Sequence, residues 1–292
     1  MTKPIYGLVE AGGTKFVLGI ASGKDDVRET VRIPTTTPDE TIRAMVDWFL
    51  ARGPVAAVGV ASFGPIDLDP ASTRYGHITE TPKPHWSGTD LVGPLKARLK
   101  CQVGLDTDVN AAALAEYLWG AAQGHRTSLY FTVGTGVGGG AVIGGKTLRG
   151  LSHPEMGHIR VTRHPHDLKF AGTCPFHGDC LEGLASGPAV IARWGKSLSD
   201  LPADHEAHDI IAHYLAQLVV SMQAVFEPGQ ISLGGGVMGT AGLIHRVRDM
   251  AAGLGAGYFA SSAKEVVTLP GLGDRSGLLG ALALAMSAGK DS

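Results

Sequence analysis

Two stretches of this chain are built alike, and that likeness constrains the fold more than anything else in the sequence. VEAGGTKFVLGIA, from Val9, and FTVGTGVGGGAVI, from Phe131, each run an apolar strand into a glycine turn with a threonine. Each then leaves the turn as a second apolar strand. Each is followed, further along, by helix, strand and helix. A repeated supersecondary unit of this size argues for a duplicated α/β chain, two βββαβα units facing across a cleft, rather than one large sheet.

The remaining elements fit that plan. VRETVRIPT alternates like a third strand. Thr37 suits an N-cap, Pro38 the first helical position, and Asp39 and Glu40 the first turn. Ile42, Met45, Val46, Phe49 and Leu50 then recur at helical spacing. VAAVGVASFG and CQVGLDTD read as strands, NAAALAEYLWGAA as a helix. In the second half SLYFTVGTG reads as a strand, GVGGG as a glycine turn, and AVIGGKTL, QISLGGG and EVVTLP as strands. A long helix is expected over Ala207 to Phe226, others near Leu243 to Ala252 and from Ser276. The segment from His153 to about Pro202 fits neither repeat and reads as an insertion.

Composition narrows the function classes. The chain has 292 residues, a hydrophobic fraction of 44% and a formal net charge of −2. That is enough for two real cores and gives no basic face for nucleic acid. Three cysteines, one of them remote, argue against a disulfide framework and for a reducing, cytoplasmic setting. The first residues have no signal-peptide pattern, and no apolar stretch is expected to span a bilayer. The 42 glycines cluster at AGGT, GTGVGGG, LGGGV and GLGAG, as where backbone approaches a ligand.

Gly134, Gly136 and Gly139 match the dinucleotide fingerprint GxGxxG, but that motif needs a helix directly after it. AVIGG reads as a strand instead. GGTK, Gly12 to Lys15, lacks Walker spacing. Both turns fit a hairpin whose backbone N–H groups face an anion, with threonine and lysine adding donors. A plain hairpin turn, with Lys15 merely solvated, is the competing reading. Asp108 stands where CQVGLD meets NAAALAE, the kind of junction that borders a ligand crevice. It can serve as a general base for an attacking hydroxyl. Spacing alone favours a helix cap, a role open to Asp106 as well.

CPFHGDC supplies Cys174, His177 and Cys180, three soft ligands in seven residues. A closed structural zinc site needs a fourth. Five of the 12 histidines fall between His153 and His177, and His153, His158, His164 and His166 compete for that place. His158, in EMGHI, is expected at a strand start. With thiolates filling the site, a structural metal fits better than a catalytic one.

Together these motifs resemble the ROK family of sugar kinases, repressors and open reading frames, and within it the bacterial fructokinases. The resemblance rests on GGTK at Gly12, SFGPID at Ser62, YGHITETPKPHW at Tyr75, DTDVNAAALAE at Asp106, GTGVGGG at Gly134, HPEMGH at His153, CPFHGDCLEGLASGPA at Cys174 and LGGGV at Leu233. It covers nearly the whole chain. It implies an actin-like, hexokinase-like (ribonuclease H-like) two-domain fold, with ATP and sugar in the interdomain cleft. A small domain is expected over 1–110 plus about 273–292, and a large one over 111–272 with the insertion at about 153–200.

The resemblance further implies that Asp108 is the catalytic base. Gly64, Pro65, Thr107, Glu155, His158 and Glu182 would contact the sugar. Gly12, Gly13, Thr14, Lys15, Thr135 and Gly136 would face the phosphates, and Gly234 and Gly235 the adenosine. His158, Cys174, His177 and Cys180 would bind Zn²⁺, and Mg²⁺ would accompany ATP. Family glucokinases carry Asn-Asp where this chain has Thr107-Asp108, which weakens a glucose reading. Many members have a Cys-x-Cys zinc arrangement where this chain has cysteine and histidine. The expected activity is phosphorylation of D-fructose at its 6-hydroxyl by a cytoplasmic homodimer. A broader hexose kinase and a non-catalytic sugar sensor are the alternatives.

Overall fold

The first hairpin forms as its pattern requires. β1 (Tyr6–Ala11) and β2 (Lys15–Gly23) pair antiparallel around the glycine turn, and β3 (Asp26–Pro34) pairs antiparallel with β2. Thr37 caps α1 (Pro38–Leu50), its side chain accepting from Glu40 N–H. β4 (Ala57–Ser62) then joins β1 in parallel, α2 (Gly93–Leu99) follows, and β5 (Gln102–Thr107) joins β4 in parallel. α3 (Asp108–Trp119) leaves the end of β5. The sheet order is β3-β2-β1-β4-β5.

The second half repeats this order. β6 (Thr127–Val133), β7 (Val137–Ile143) and β8 (Lys146–Thr147) open it. The inserted helices α4 (Leu181–Ala185) and α5 (Gly187–Trp194) precede α6 (Ala207–Phe226). β9 (Gln230–Gly234), α7 (Leu243–Gly255), α8 (Ala263–Val266), β10 (Val267–Thr268) and α9 (Ser276–Ala288) complete the chain. The second sheet runs β8-β7-β6-β9-β10, the first sheet's order place for place. The antiparallel β6–β7 and parallel β6–β9 and β9–β10 pairings match those of β1–β2, β1–β4 and β4–β5. The duplication read from two hairpins is therefore a duplication of topology.

This computed structural model describes residues 3–290, and they form two units. The first runs through Ala115, with Thr147–Pro154 and the stretch from Arg275; the second comprises Glu116–Lys146 and Glu155–Asp274. Thr147–Pro154 thus goes with the first unit rather than with 111–272. The reason is side-chain bonding, since Thr147 and Arg149 both reach the buried carboxylate of Asp106.

In the first unit α9 lies directly on the sheet. A Cβ on Gly59 would sit 1.8 Å from Ala281 C=O and one on Gly104 2.4 Å from Leu284 C=O, so only glycine permits this approach. Trp86, fully buried, packs against Phe16 and Phe63 and donates its indole N–H to Thr36 C=O. In the second unit α6 is the central helix. By length and composition it could cross a membrane, contrary to the sequence expectation, yet its apolar residues Ile211, Leu215, Leu218 and Val219 are fully buried. It is a core helix.

Four local expectations fail. GVGGG is not a turn but largely the start of β7, and AVIGGKTL is not one strand, because Gly144 and Gly145, with φ of +57° and +82°, turn the chain between β7 and β8. EVVTLP is not one strand but the end of α8 followed by the two-residue β10. Ser262 and Glu265 form a capping box that starts a helix there. His158 closes a 3₁₀ turn, Met156–His158, instead of opening a strand, because Gly157 lies against Val137, where a Cβ would fall 1.7 Å from its C=O.

Candidate active site and metal centre

In the first unit the candidate residues gather by register. Ala11, Ser62 and Thr107 are paired across β1, β4 and β5. The glycine turn, the Gly64–Pro65 loop and Asp108 therefore leave the same edge of one sheet, the carboxyl ends of parallel strands where α/β folds bind ligands. Phe63 N–H donates to Ala11 C=O at 2.8 Å and fastens the second of these loops to the first. Gly64 lies against His153, whose Nε2 accepts from Ile66 N–H at 3.3 Å.

The Gly12–Lys15 turn is held from within and from outside. Gly12 N–H donates to Lys15 C=O at 3.0 Å, Thr35 Oγ1 donates to Gly12 C=O at 2.8 Å, and Thr35 N–H donates to Thr14 C=O at 3.0 Å. Gly12 is needed for the turn itself, since a Cβ there would meet Lys15 C=O at 2.9 Å. Gly13 is different. Its φ is not in the left-handed region, and nothing lies within 4 Å of where a Cβ would stand. Thr14 and Lys15 are exposed. Two residues before the turn, the Glu10 carboxyl is pushed up by burial and pulled back by Lys15 and Arg32.

At the β5–α3 junction the cap belongs to Thr107, whose Oγ1 accepts from Asn110 N–H at 3.1 Å. Asp108 is the first helical residue, and its Oδ1 accepts from Val109 N–H at 2.9 Å. The cap role that spacing favoured for Asp108 is thus filled by its neighbour. Asp106, fully buried, carries the junction. Its Oδ1 accepts from Thr107 N–H and Asn110 Nδ2 at 2.8 and 2.9 Å, and its Oδ2 from Thr147 Oγ1 and Arg149 Nη2 at 2.7 and 3.1 Å. Four donors, one of them the Arg149 cation, satisfy a charge that would otherwise be costly to bury.

In the second unit Thr132 of β6 pairs with Gly234 of β9. The Gly134–Gly136 turn and the Gly234–Gly235 stretch thus also leave one sheet edge. β7 begins at Val137, so a strand and not a helix follows the glycines, and the dinucleotide fingerprint fails. Thr135 is exposed at the turn. Gly234 and Gly235 have internal reasons to be glycine. A Cβ on Gly234 would meet Pro270 and the Tyr130 hydroxyl at 2.9 Å, and Gly235 has φ +88° with Val133 C=O at 2.5 Å from its Cβ position.

Glu155 precedes the 3₁₀ turn, its C=O accepting from His158 N–H, and Glu182 stands in α4. One Glu182 oxygen, Oε2, accepts from Val137 N–H at 3.0 Å.

His158, Cys174, His177 and Cys180 bring one ligand atom each to within 4.8 Å of one another, a group able to hold a metal ion. Of the four competing histidines, His158 is the one that joins the motif. Both imidazoles present Nδ1. The Nδ1 atoms are 3.3 Å apart, Cys174 Sγ is 3.7 and 3.6 Å from those of His158 and His177, and Cys180 Sγ is 3.5 Å from that of His158. Burial, with Cys174 alongside, pushes the Cys180 thiol up to about 11, a cost that a bound cation would reverse. The loop is pinned nearby by a buried ion pair. Arg193 Nη2 and Nε reach Asp167 at 2.9 and 3.0 Å, and Tyr214 OH donates to the same carboxylate at 2.7 Å.

A duplicated βββαβα fold, with glycine turns at the carboxyl edges of both sheets, is the actin-like architecture of the sugar kinases. The chain belongs to the ROK family, whose model matches residues 6–288. It is 49% identical over 294 residues to a fructokinase of Zymomonas mobilis, covering 98% of each chain. The ROK hexokinase of Thermus thermophilus superposes with a TM-score of 0.79 at 28% identity, covering 99% of this chain and 100% of that one. A ROK glucokinase of Streptomyces griseus, solved with glucose and AMPPNP, gives a TM-score of 0.76 at 25% identity, covering 97% and 99%.

Proposed function

We propose that this sugar kinase is an ATP-dependent fructokinase that converts D-fructose to fructose 6-phosphate. The observation that carries the sugar assignment is the near-full-length likeness to a fructokinase. The cap made by Thr107, in place of Asp108, supports the chemical assignment. Asp108 takes the proton of the 6-hydroxyl as that oxygen attacks the γ-phosphorus of MgATP. The new O–P bond forms, the bond to the β-phosphate oxygen breaks, and ADP leaves. Gly12, Gly13, Thr14 and Lys15 hold phosphate in the first unit, and Thr135 and Gly136 in the second. Gly234 and Gly235 border the adenosine. Gly64, Pro65, Thr107, Glu155, His158 and Glu182 hold the sugar.

The metal is zinc in this reading. Zinc–sulfur and zinc–nitrogen bonds of about 2.3 and 2.0–2.1 Å put tetrahedral edges at about 3.5 Å for S···N and about 3.3 Å for N···N. The ligand spacings fit those edges. Bound there, zinc would supply a structural tie, and ligation through Nδ1 would leave Nε2 of His158 for the sugar. Free, unpaired thiols at Cys174 and Cys180 suit a cytoplasmic enzyme. A homodimer follows from the family and is checked by light scattering.

A coupled assay with MgATP over fructose, mannose and glucose tests the proposal. Fructose is expected to give much the highest kcat/KM. Comparable values for all three would replace it with a broad hexose kinase, a reading that the hexokinase and glucokinase likenesses favour. No sugar-dependent ADP release at all would leave a sugar sensor.

A further inference from the structure

We infer that Glu182 is a positioning residue for the second glycine turn and that it transmits the order of the metal loop to the nucleotide. The inference rests on the reading of Gly134–Gly136 as a phosphate-holding turn. That turn has only one hydrogen bond of its own among those described, Gly134 N–H to Gly136 C=O at 2.8 Å. The inserted helices grip it on both sides. Gly187 N–H, at the start of α5, donates to Gly134 C=O at 2.7 Å, and the Glu182 carboxylate receives Val137 N–H at 3.0 Å. The carboxylate also fills the space at Gly136, where a Cβ would stand 2.6 Å from Oε2.

The other end of this grip is the metal loop. Cys180, a ligand, is the N-cap residue of α4, two positions before Glu182. Leu184 N–H donates to Cys180 C=O at 3.1 Å and Leu181 N–H to Ile159 C=O at 3.0 Å. Gly183 presses on the loop so closely that a Cβ would fall 1.9 Å from Gly178 C=O. The first turn of α4 is therefore fixed to the ligand loop, and Glu182 projects from it onto the backbone of the turn. Because one oxygen is committed to Val137, sugar recognition is left to the other.

The test uses zinc-loaded, full-length Glu182→Gln, Glu182→Asp and Glu182→Ala. MgADP affinity is read by calorimetry without sugar, with zinc content and Tm alongside. The Gln amide oxygen can still accept from Val137 N–H, so its MgADP Kd should stay within about twofold of wild type. Asp, one carbon too short, and Ala should each weaken MgADP about fivefold to tenfold. Wild-type affinity in both Asp and Ala overturns the inference, as does a Gln variant as weak as Ala. Should Ala fail to fold, Asp decides. Fructose KM gives a separate reading. A raised KM in Gln with MgADP unchanged supports sugar contact by the second oxygen, and an unchanged KM removes that role without touching the turn. Wild-type protein that binds no MgADP would overturn the nucleotide reading and this inference together.

Discussion

The two glycine turns occupy the same place in two copies of one fold, yet they are supported in different ways. In the first unit β3 is nine residues long, and Thr35, just beyond it, bonds to the turn with both its hydroxyl and its N–H. The corresponding β8 has two residues, and among the described residues no hydrogen bond joins it to the second turn. There the turn is held by Glu182 and Gly187 from the insertion that carries the candidate metal ligands. Duplication preserved the strand order and the turn. The third strand is shorter in the second repeat, and there the insertion supplies the support. The Cys174–Cys180 loop and the helices that follow it are thus part of how the second repeat keeps its turn.

The largest asymmetry is chemical. The β5–α3 junction carries Asp108, and the matching place in the second repeat, between β10 and α9, offers only the exposed Asp274. Asp108→Asn should cut kcat by about 10²-fold or more with little change in fructose KM. Asp274→Asn should leave kcat within about twofold of wild type. A near-normal kcat in Asp108→Asn would remove the base and with it the claim that the first repeat alone supplies the chemistry.

Metal loss tests the replacement of strand by insertion. Stripping zinc with a strong chelator, or the Cys180→Ser substitution, should lower Tm by about 5–10 °C. It should also raise both fructose and nucleotide KM, because His158 and Glu182 are tied to the same loop. A drop in kcat alone, with Tm and both KM values unchanged, would contradict a structural metal and would detach the insertion from the turn.

The mirror experiment acts on the first turn. Thr35→Val removes the hydroxyl bond to Gly12 C=O and keeps the backbone bond, at a cost of about 1 kcal/mol. It should weaken MgADP modestly and leave zinc retention untouched under chelator challenge. Equal loss of zinc in Thr35→Val would mean that the two turns are not independently supported.

How much of this was legible follows the same division between local and distant causes. The hairpins, the Thr37 cap and the bounds of α6 are local patterns that the structure keeps, and so is the grouping of three of the four candidate metal ligands. The capping box at Ser262 was also written locally as S-x-x-E, but the β-branched pair Val266 and Val267 drew the reading toward a strand. The fourth ligand is another matter. Spacing left four histidines competing, and only the fold brings His158 to the loop. The Val137–Glu182 bond spans 45 residues, and Asp106 reaches Thr147 and Arg149 across 41 and 43. Contacts between a side chain and distant groups leave no period in the sequence. Asp106 did carry one signal, a carboxylate closing a buried strand, which announces partners without naming them.

The smallest expected effect lies two residues before the turns. There the first repeat has Glu10 and the second, by the alignment of the hairpins, has Thr132. Burial outweighs the pull of Lys15 and Arg32, so the folded-state pKa of Glu10 lies above its unfolded value. The folded state then binds the proton more readily than the unfolded state does. Its contribution is fully present below the unfolded carboxyl range and is lost as pH rises through the folded pKa. At neutral pH the ionised, partly buried carboxylate costs stability that neutral Thr132 does not. Glu10→Gln should therefore raise Tm slightly at pH 7 and leave it unchanged at pH values below the unfolded carboxyl range, as read by thermal melts across that window. A wild type and variant whose difference does not grow with rising pH would show that Glu10 is held charged at no cost, and the two repeats would then be electrostatically alike at the mouths of their turns.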